Sequence, residues 1–497
     1  MGYGAARLME RLSARTRSAS VRSFTYDRAS LPLGLAHLGV GAFHRCHQAE
    51  YLEDALEAGA ERRLELGVNL RPPSIAAQLG AQDGLYARTL QEGDTRETRV
   101  IGAIGRVMDA GDAPTDAIAA LATPAIDTIT LTVTEKGYCH VPATGALDWA
   151  RPELEADLAR GADRQSVPGF LCAVLRSRME ARAPVTLVSC DNIPANGRIL
   201  RAAVLGFAEA EDQRLAKWIE ENVLFPSTMV DRIVPATSEA DLAFAREALG
   251  VEDAGTVVGE PFRQWVMEND FALTRPRWDV GGAEFVGDVE EHEHVKMRVL
   301  NAAQSTFSWL GALAGLETTG DDAHDPEIAG FARRMILDET APVLPVLKGM
   351  EAEPYTALTF HRLENRAIRH RNHQIATDSS QKINQRLLEP LRDRRERGLA
   401  SPLLETALGA WVAYLARSQG AFGAAWSLDD PIRPAVERHA RDSGGAITAF
   451  ADRVLGEEGV FGLDIAGDAA LRARVGKRAQ SFLETGVYGT LGGTSPS

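Results

Sequence analysis

Between about residues 285 and 290 the chain changes texture, and that change constrains its architecture more than any other feature. Before it, short apolar runs over 35–41, 64–70, 126–133, 185–190, 256–259 and 284–289 read as strands. They alternate with helix-compatible segments at about 168–181, 195–209, 211–221 and 238–249. After it, strand-like runs fade, and helical segments at about 291–316, 326–337, 354–366, 378–397, 403–418 and 430–455 dominate. A chain of 497 residues is too long for one typical domain. Strands alternating with helices build a sheet covered by helices, whereas a run of helices builds a bundle. The expectation is a flexible basic segment over 1–25, an α/β domain over 26–288 and a mainly α-helical domain over 289–497.

Charge and cysteine usage exclude several classes of function. A net charge of −15 and a pI near 5.3 argue against a nucleic-acid binder. They leave room for a small anionic substrate, because one local arginine pair is enough to hold it. Cys46, Cys139, Cys172 and Cys190 are scattered with no CxxC pair, so neither a zinc knuckle nor a disulfide framework is indicated. The chain reads as reduced and cytoplasmic. No apolar run reaches the roughly 18 residues of a membrane span. The Arg-rich N-terminus lacks the apolar core of a secretory signal. Oligomeric state is not encoded in any of these features.

The first candidate site is Leu35 to Gly41, a short buried strand running into a glycine turn. Gly39, Gly41, Ala42 and Phe43 are followed by a helix-compatible segment beginning near His44. A strand, a Gly-x-Gly turn and a helix start together suit a pyrophosphate. Small residues let the backbone approach it, and the helix N-terminus faces it. This makes the first domain a Rossmann-type NAD(P)-binding domain, although His44 stands where the third glycine of the fingerprint belongs. At the end of the second strand an acidic residue normally takes the ribose hydroxyls. Here the sequence is Val68-Asn69-Leu70-Arg71-Pro72. Asn69 could serve the ribose and Arg71 a 2′-phosphate, so these residues leave NAD and NADP both open. Thr134 and Glu135 open the loop beyond the third strand, where a ligand meets a sheet.

The second candidate is the Gly-free, Pro-free stretch Glu293 to Gln304. At 100° per residue, Val295, Val299, Ala302, Thr306, Leu310 and Leu313 fall on one side of a helix. Glu293, Lys296, Asn301 and Gln304 fan out over about 140° on the other. A proton carrier thus sits near two amides on one rigid element; the bland alternative is a solvated surface lysine. Asp191-Asn192 beyond a strand end and Asp231-Arg232 between apolar runs are further polar candidates. So is Arg369 to Lys382, in which Arg369, Arg371 and His373 could hold a carboxylate or a polyhydroxylated chain. His44 with His47, and His292 with His294, lack metal-site spacing, so no metal is expected.

The ordered motifs resemble the long-chain mannitol dehydrogenase family, and within it the fructuronate reductase (D-mannonate oxidoreductase) branch. The matching residues are Tyr26-Asp27-Arg28, His37 to Gln48, Leu131 to Tyr138, Ser189 to Asn192, Phe225 to Pro235, Glu260 to Val266, Lys296 to Asn301 and Arg369 to Gln385. The resemblance covers roughly residues 26–480. It implies a metal-independent dehydrogenase with its site in the cleft between an N-terminal Rossmann-type and a C-terminal helical domain. The family's catalytic lysine falls on Lys296, its oxygen-binding asparagines on Asn192 and Asn301, and its substrate-side aspartate on Asp231. Its glutamate on a proton path falls on Glu293.

Three departures lie in substrate-side elements. Gln304 stands where the family has histidine, Ser379 where it has glycine and Asn384 where it has proline. The expected reaction is reversible reduction of D-fructuronate to D-mannonate, with Lys296 as acid and base. The alternatives are a polyol 2-dehydrogenase acting on mannitol or arabinitol, and a catalytically weakened, cofactor-binding regulatory protein.

Overall fold

The structure is a computed structural model that describes residues 10–16, 18–141, 145–160 and 164–492. The chain divides into two compact units, Met1–Glu290 and Glu291–Ser497. At the centre of the first is a six-stranded parallel sheet in the order β5-β2-β1-β6-β7-β8. Its strands are β1 (Leu33–Leu38), β2 (Leu64–Asn69), β5 (Ile104–Asp109), β6 (Thr128–Leu131), β7 (Val185–Ser189) and β8 (Val223–Leu224). The runs of β1, β6 and β7 are apolar or Thr-rich because helices bury both faces of the sheet. Ala36 and Leu38 join one core with Leu66, Val68, Ile129 and Leu131, whereas Leu35 joins the other with Leu64 and Val188. Strand order reverses between β1 and β6, so their C-terminal ends flank the crevice where α/β sheets bind ligands.

Two smaller sheets complete this unit. β3 (Tyr86–Glu92) and β4 (Thr95–Ile101) form a hairpin beside β10 (Val257–Gly259). β9 (Thr228–Asp231), β11 (Gln264–Glu268) and β12 (Glu284–Val286) form the other. The expected flexible basic segment differs from what is seen. Residues 1–9 and 17 lie outside the described residues, but Leu12 is buried in a cluster with Leu85, Ala87, Val100 and Leu249. Arg11 and Arg22 make bridges to Glu252 and Arg99. Leu12 and Phe24 supply the apolar surface that ties this segment down.

The second unit is helical. Asp325 caps Pro326–Arg334, and Thr318 and Asp321 form a capping box for Thr319–His324. The segment expected as one helix over 430–455 is two, Arg433–Asp442 and Ile447–Leu455. Gly444 and Gly445 take positive φ between them. Three stretches, Met297–Asn301, Met335–Thr340 and Asn384–Leu388, are π-helical inserts within longer helices. The kinked C-terminal helix Ala469–Gly492 has no counterpart in the sequence expectation.

Candidate active site

The glycine turn after β1 is shaped by its neighbours. Gly39 has φ +97°, and a Cβ there would stand 2.1 Å from the Thr132 carbonyl oxygen. No residue other than glycine fits. Gly41 is exposed, and the nearest heavy atom to a Cβ there would be 3.9 Å away. The turn therefore presents bare backbone to open space, with Ala42 and Phe43 opening the next helix. These residues fit the diphosphate of a dinucleotide.

Asn69 is engaged with the glycine turn itself. Its Oδ1 accepts from the Val40 N–H at 2.7 Å, and its Nδ2 donates to the Pro73 carbonyl at 3.2 Å. It stitches the glycine turn to the end of β2. Beside it Arg71, which is exposed, lines a cavity of about 80 Å³ with Ser74, Asp109 and Asp112. Asp109 accepts from Ser74 and from the Ile75 and Ala76 N–H groups, so it caps a helix.

His44 occupies the third glycine position by going under the turn. Its ring stacks on His37 at 3.5 Å and its Nε2 lies 2.9 Å from Glu65 Oε1. His37 meets Thr130 Oγ1 at 2.7 Å and Thr132 Oγ1 at 2.8 Å. Burial pushes the Glu65 carboxyl up to about 7 and the His44 ring down to about 3. Three possible ligand atoms here lie within 4.8 Å of one another. The imidazole planes are only 14° apart, however, so their in-plane lone pairs cannot converge on one ion.

Asp191 organises the ends of β6 and β7. It accepts from the Val133 and Thr134 N–H groups at 2.9 Å and from the Tyr138 hydroxyl, and burial raises its pKa. This holds Thr134 at φ +64°, next to Glu135. Asn196 Nδ2 donates to the Asp191 and Thr228 carbonyls, linking the Asp191-Asn192 loop to β9, which ends in buried Asp231. The first unit thus gathers the exposed Asn192 and Thr134 and the half-buried Glu135 around one hydrogen-bonded frame.

In the second unit the Lys296 helix departs from the expected wheel. Glu293, Lys296, Asn301 and Gln304 are all buried, at 6, 4, 6 and 7 % exposure. The helix from Ala302 to Ala312 is buried on every side, which rules out the solvated surface lysine. Between Lys296 and Ala302 the helix is π-helical, and the Ala302 N–H reaches back five residues to the Met297 carbonyl. In an α-helix, residues five apart point about 140° away from each other. In a π turn residue i+5 sits over residue i, so Asn301 comes round onto the face of Lys296. Asn301 Nδ2 lies 3.4 Å from Gln304 Oε1, and Asn301 Oδ1 is buried without a partner. Arg386 donates to the Asn301 carbonyl at 3.3 Å and to Ser305 Oγ at 2.7 Å.

Arg369, Arg371 and His373 are not brought to this face. Arg371 bridges to Thr318, and both arginines pair with exposed Glu317, at 3.5 and 3.4 Å. With His373, Arg417 and Trp426, Arg371 lines an open cavity of about 680 Å³. The helix Ala302–Ala314 separates that place from Asn301 by about 20 Å. Their spacing in sequence carried no information on which end of this helix they would reach. Arg386 was the readable alternative, a charged residue set among buried Ile383, Leu387 and Leu388.

A switch-point crevice with a bare glycine turn, joined to a helical unit, defines an NAD(P)-dependent oxidoreductase. The chain belongs to the mannitol dehydrogenase family: the mannitol dehydrogenase Rossmann domain matches residues 34–280 and the mannitol dehydrogenase C-terminal domain residues 288–483. It is 37% identical over 473 residues to D-mannonate oxidoreductase of Escherichia coli (strain K12), covering 93% of this chain and 96% of that protein. It is 34% identical over 476 residues to mannitol 2-dehydrogenase of Phaeosphaeria nodorum, covering 94% and 82%. The solved ternary complex of Pseudomonas fluorescens mannitol 2-dehydrogenase with NAD and D-mannitol superposes with a TM-score of 0.87. It has 32% identity and covers 96% of this chain and 97% of that one.

Proposed function

We propose that the protein interconverts a secondary alcohol and its ketone on an open-chain sugar derivative, with NAD(H) as the redox partner. The nicotinamide, when bound, supplies or accepts the hydride. Lys296 delivers the proton to the ketone oxygen and removes it in the reverse direction. Asn301 and Asn192 donate hydrogen bonds to that oxygen as charge develops on it. Asp231 and Gln304 hold neighbouring hydroxyls, and Glu293 relays the proton. The observation that carries this reading is the π turn that sets Asn301 on the buried face of Lys296.

The polyol–ketose pair has the broader support. The ternary complex named above holds D-mannitol, and the arginines expected to hold a uronate carboxylate pair with Glu317 instead. The D-fructuronate to D-mannonate reading, the closest branch in the sequence resemblance, draws on the 37% identity to D-mannonate oxidoreductase. The regulatory-protein alternative has no observation in its favour. Four unpaired, buried cysteines suit a reducing compartment such as the cytoplasm. Among the described residues no helix is long and apolar enough to cross a membrane.

The test is a panel of D-fructuronate, D-tagaturonate, D-fructose, D-mannitol and D-arabinitol, run with NADH/NAD and NADPH/NADP. Turnover of none of them by folded protein would refute the reading. Tighter binding of NADPH, lost in Arg71→Ala, would move the cofactor assignment to NADP.

A further inference from the structure

Among the described residues, most buried arginines are held by several backbone carbonyls, by carboxylates or by both, and Arg386 is less fully partnered than these. Arg178 spends its guanidinium on four backbone carbonyls, those of Leu121, Thr123, Ala183 and Pro184. Arg394 serves the carbonyls of Asp338, Glu339 and Ala400 and the Ser401 hydroxyl. Arg298 pairs with carboxylates, Glu389 at 3.2 Å and Asp393 at 2.6 Å. Arg386 is 6% exposed, and both of its acceptors, the Asn301 carbonyl and Ser305 Oγ, sit on Nη1. Its Nε is buried with no acceptor, as is that of Arg298, but Arg298 has two carboxylates to offset its charge. Among the described residues no carboxylate pairs with it. Burial pulls its pKa down to about 10, which leaves it charged at neutral pH.

A buried, half-satisfied cation is costly, and proteins keep one where an anion completes it. Support of the Asn301 carbonyl needs only Nη1 and could be given by a neutral amide. The remaining Nε and Nη2 edge is the fork that grips a carboxylate with two parallel hydrogen bonds. The same guanidinium holds the backbone carbonyl of Asn301, the residue whose amide is assigned to the reacting oxygen. We infer that Arg386 anchors a carboxylate on the substrate, so that the site takes open-chain sugar acids and prefers them to the corresponding polyols and ketoses. This rests on the alcohol–ketone reading of the Lys296–Asn301 face and, within it, favours the sugar-acid substrate over the polyol–ketose pair that the comparisons support more broadly.

The test compares wild type, Arg386→Gln and Arg386→Lys in two ways. One is kcat/KM for D-fructuronate and D-fructose; the other is calorimetric binding of D-mannonate and D-mannitol to the NADH-loaded protein. Wild type should bind D-mannonate more tightly than D-mannitol. Arg386→Gln should lose about 50-fold or more on D-fructuronate and less than about threefold on D-fructose. Arg386→Lys, which keeps the charge without the fork, should fall between. Equal losses on both substrates, in a variant that still binds NADH, would show Arg386 acting through the Asn301 carbonyl and overturn the inference. So would an unchanged preference in Arg386→Gln. If wild type turns over neither ketone, the alcohol–ketone reading fails by itself, and the binding arm still decides. Preference for D-mannonate that disappears in Arg386→Gln upholds the anchor, and its absence in wild type overturns it.

Discussion

Replacing Lys296 by alanine is the sharpest test of the proposed chemistry. The side chain is 4% exposed and mounted one π turn from Asn301, on a helix buried throughout its next eleven residues. Asn301 and Gln304 on that face are amides and cannot take over a proton, and Glu293 relays the proton of Lys296 rather than meeting the reacting oxygen. Loss of a positioned general acid costs about 10² to 10⁴ in rate. That corresponds to about 3 to 5.5 kcal/mol of barrier. The cofactor turn is built from His37, Gly39, Asn69 and Thr132, so the Kd for NADH should stay within about twofold. The assay is steady-state kcat with NADH titrated by protein fluorescence, on protein shown to be folded. Oxidation should also lose its dependence on pH, because the base is gone. Partial rescue by a small primary amine would locate the defect in the missing nitrogen. A kcat within about fivefold of wild type would refute the assignment.

Gly39→Ala should abolish NADH binding by at least about 100-fold, since its Cβ would collide with the Thr132 carbonyl at 2.1 Å; unaltered binding by calorimetry would exclude this turn as the cofactor loop. Arg371→Ala should change kcat/KM less than about twofold on every substrate in the panel, because the side chain is exposed and pairs with Glu317 far along the helix. A selective loss on uronates would reverse that placement. Asp322 is fully buried, and burial, reinforced by Asp321 and Asp325, raises its carboxyl to about 8. The folded state therefore holds its proton longer than the unfolded chain, and stability should fall as pH rises from about 4 to 8. Asp322→Asn should remove that slope, so that its Tm exceeds wild type increasingly between pH 5.5 and 8.5; parallel curves for the two proteins would disprove it.

Much of the first unit was legible because its strands are short apolar runs ended by turn residues, as at Leu64–Asn69 and Val185–Ser189. The hairpin of β3 and β4 was not legible. Arg88 and Arg99 break the apolar alternation, yet both are buried there, paired with Glu50 and Asp54 on the helix Gln48–Glu57. Charge pairing across 38 and 45 residues leaves no local pattern to read. The π turns were equally silent, since no residue type marks them, and a wheel drawn at 100° per residue spread Lys296 and Asn301 apart. Composition correctly singled out residues 369–382 as polar. It could not tell that Asn372 would fasten that segment to Leu316, at the wrong end of the helix for Lys296.

The irregular turn at Met297–Asn301 sets a limit on improving this protein. A π turn carries one residue more than the ladder around it, so removing a single residue there would restore an unbroken α-helix. By every rule of regular backbone geometry the edited helix would be the better one. The edit would leave the downstream amide four residues from the lysine, still on its face in an α-helix, whereas winding the same residues as α without the deletion would carry that amide about 140° away. Changes that force this turn to wind as α with all its residues in place should therefore cost the reaction, and stabilisation is better sought elsewhere in the chain.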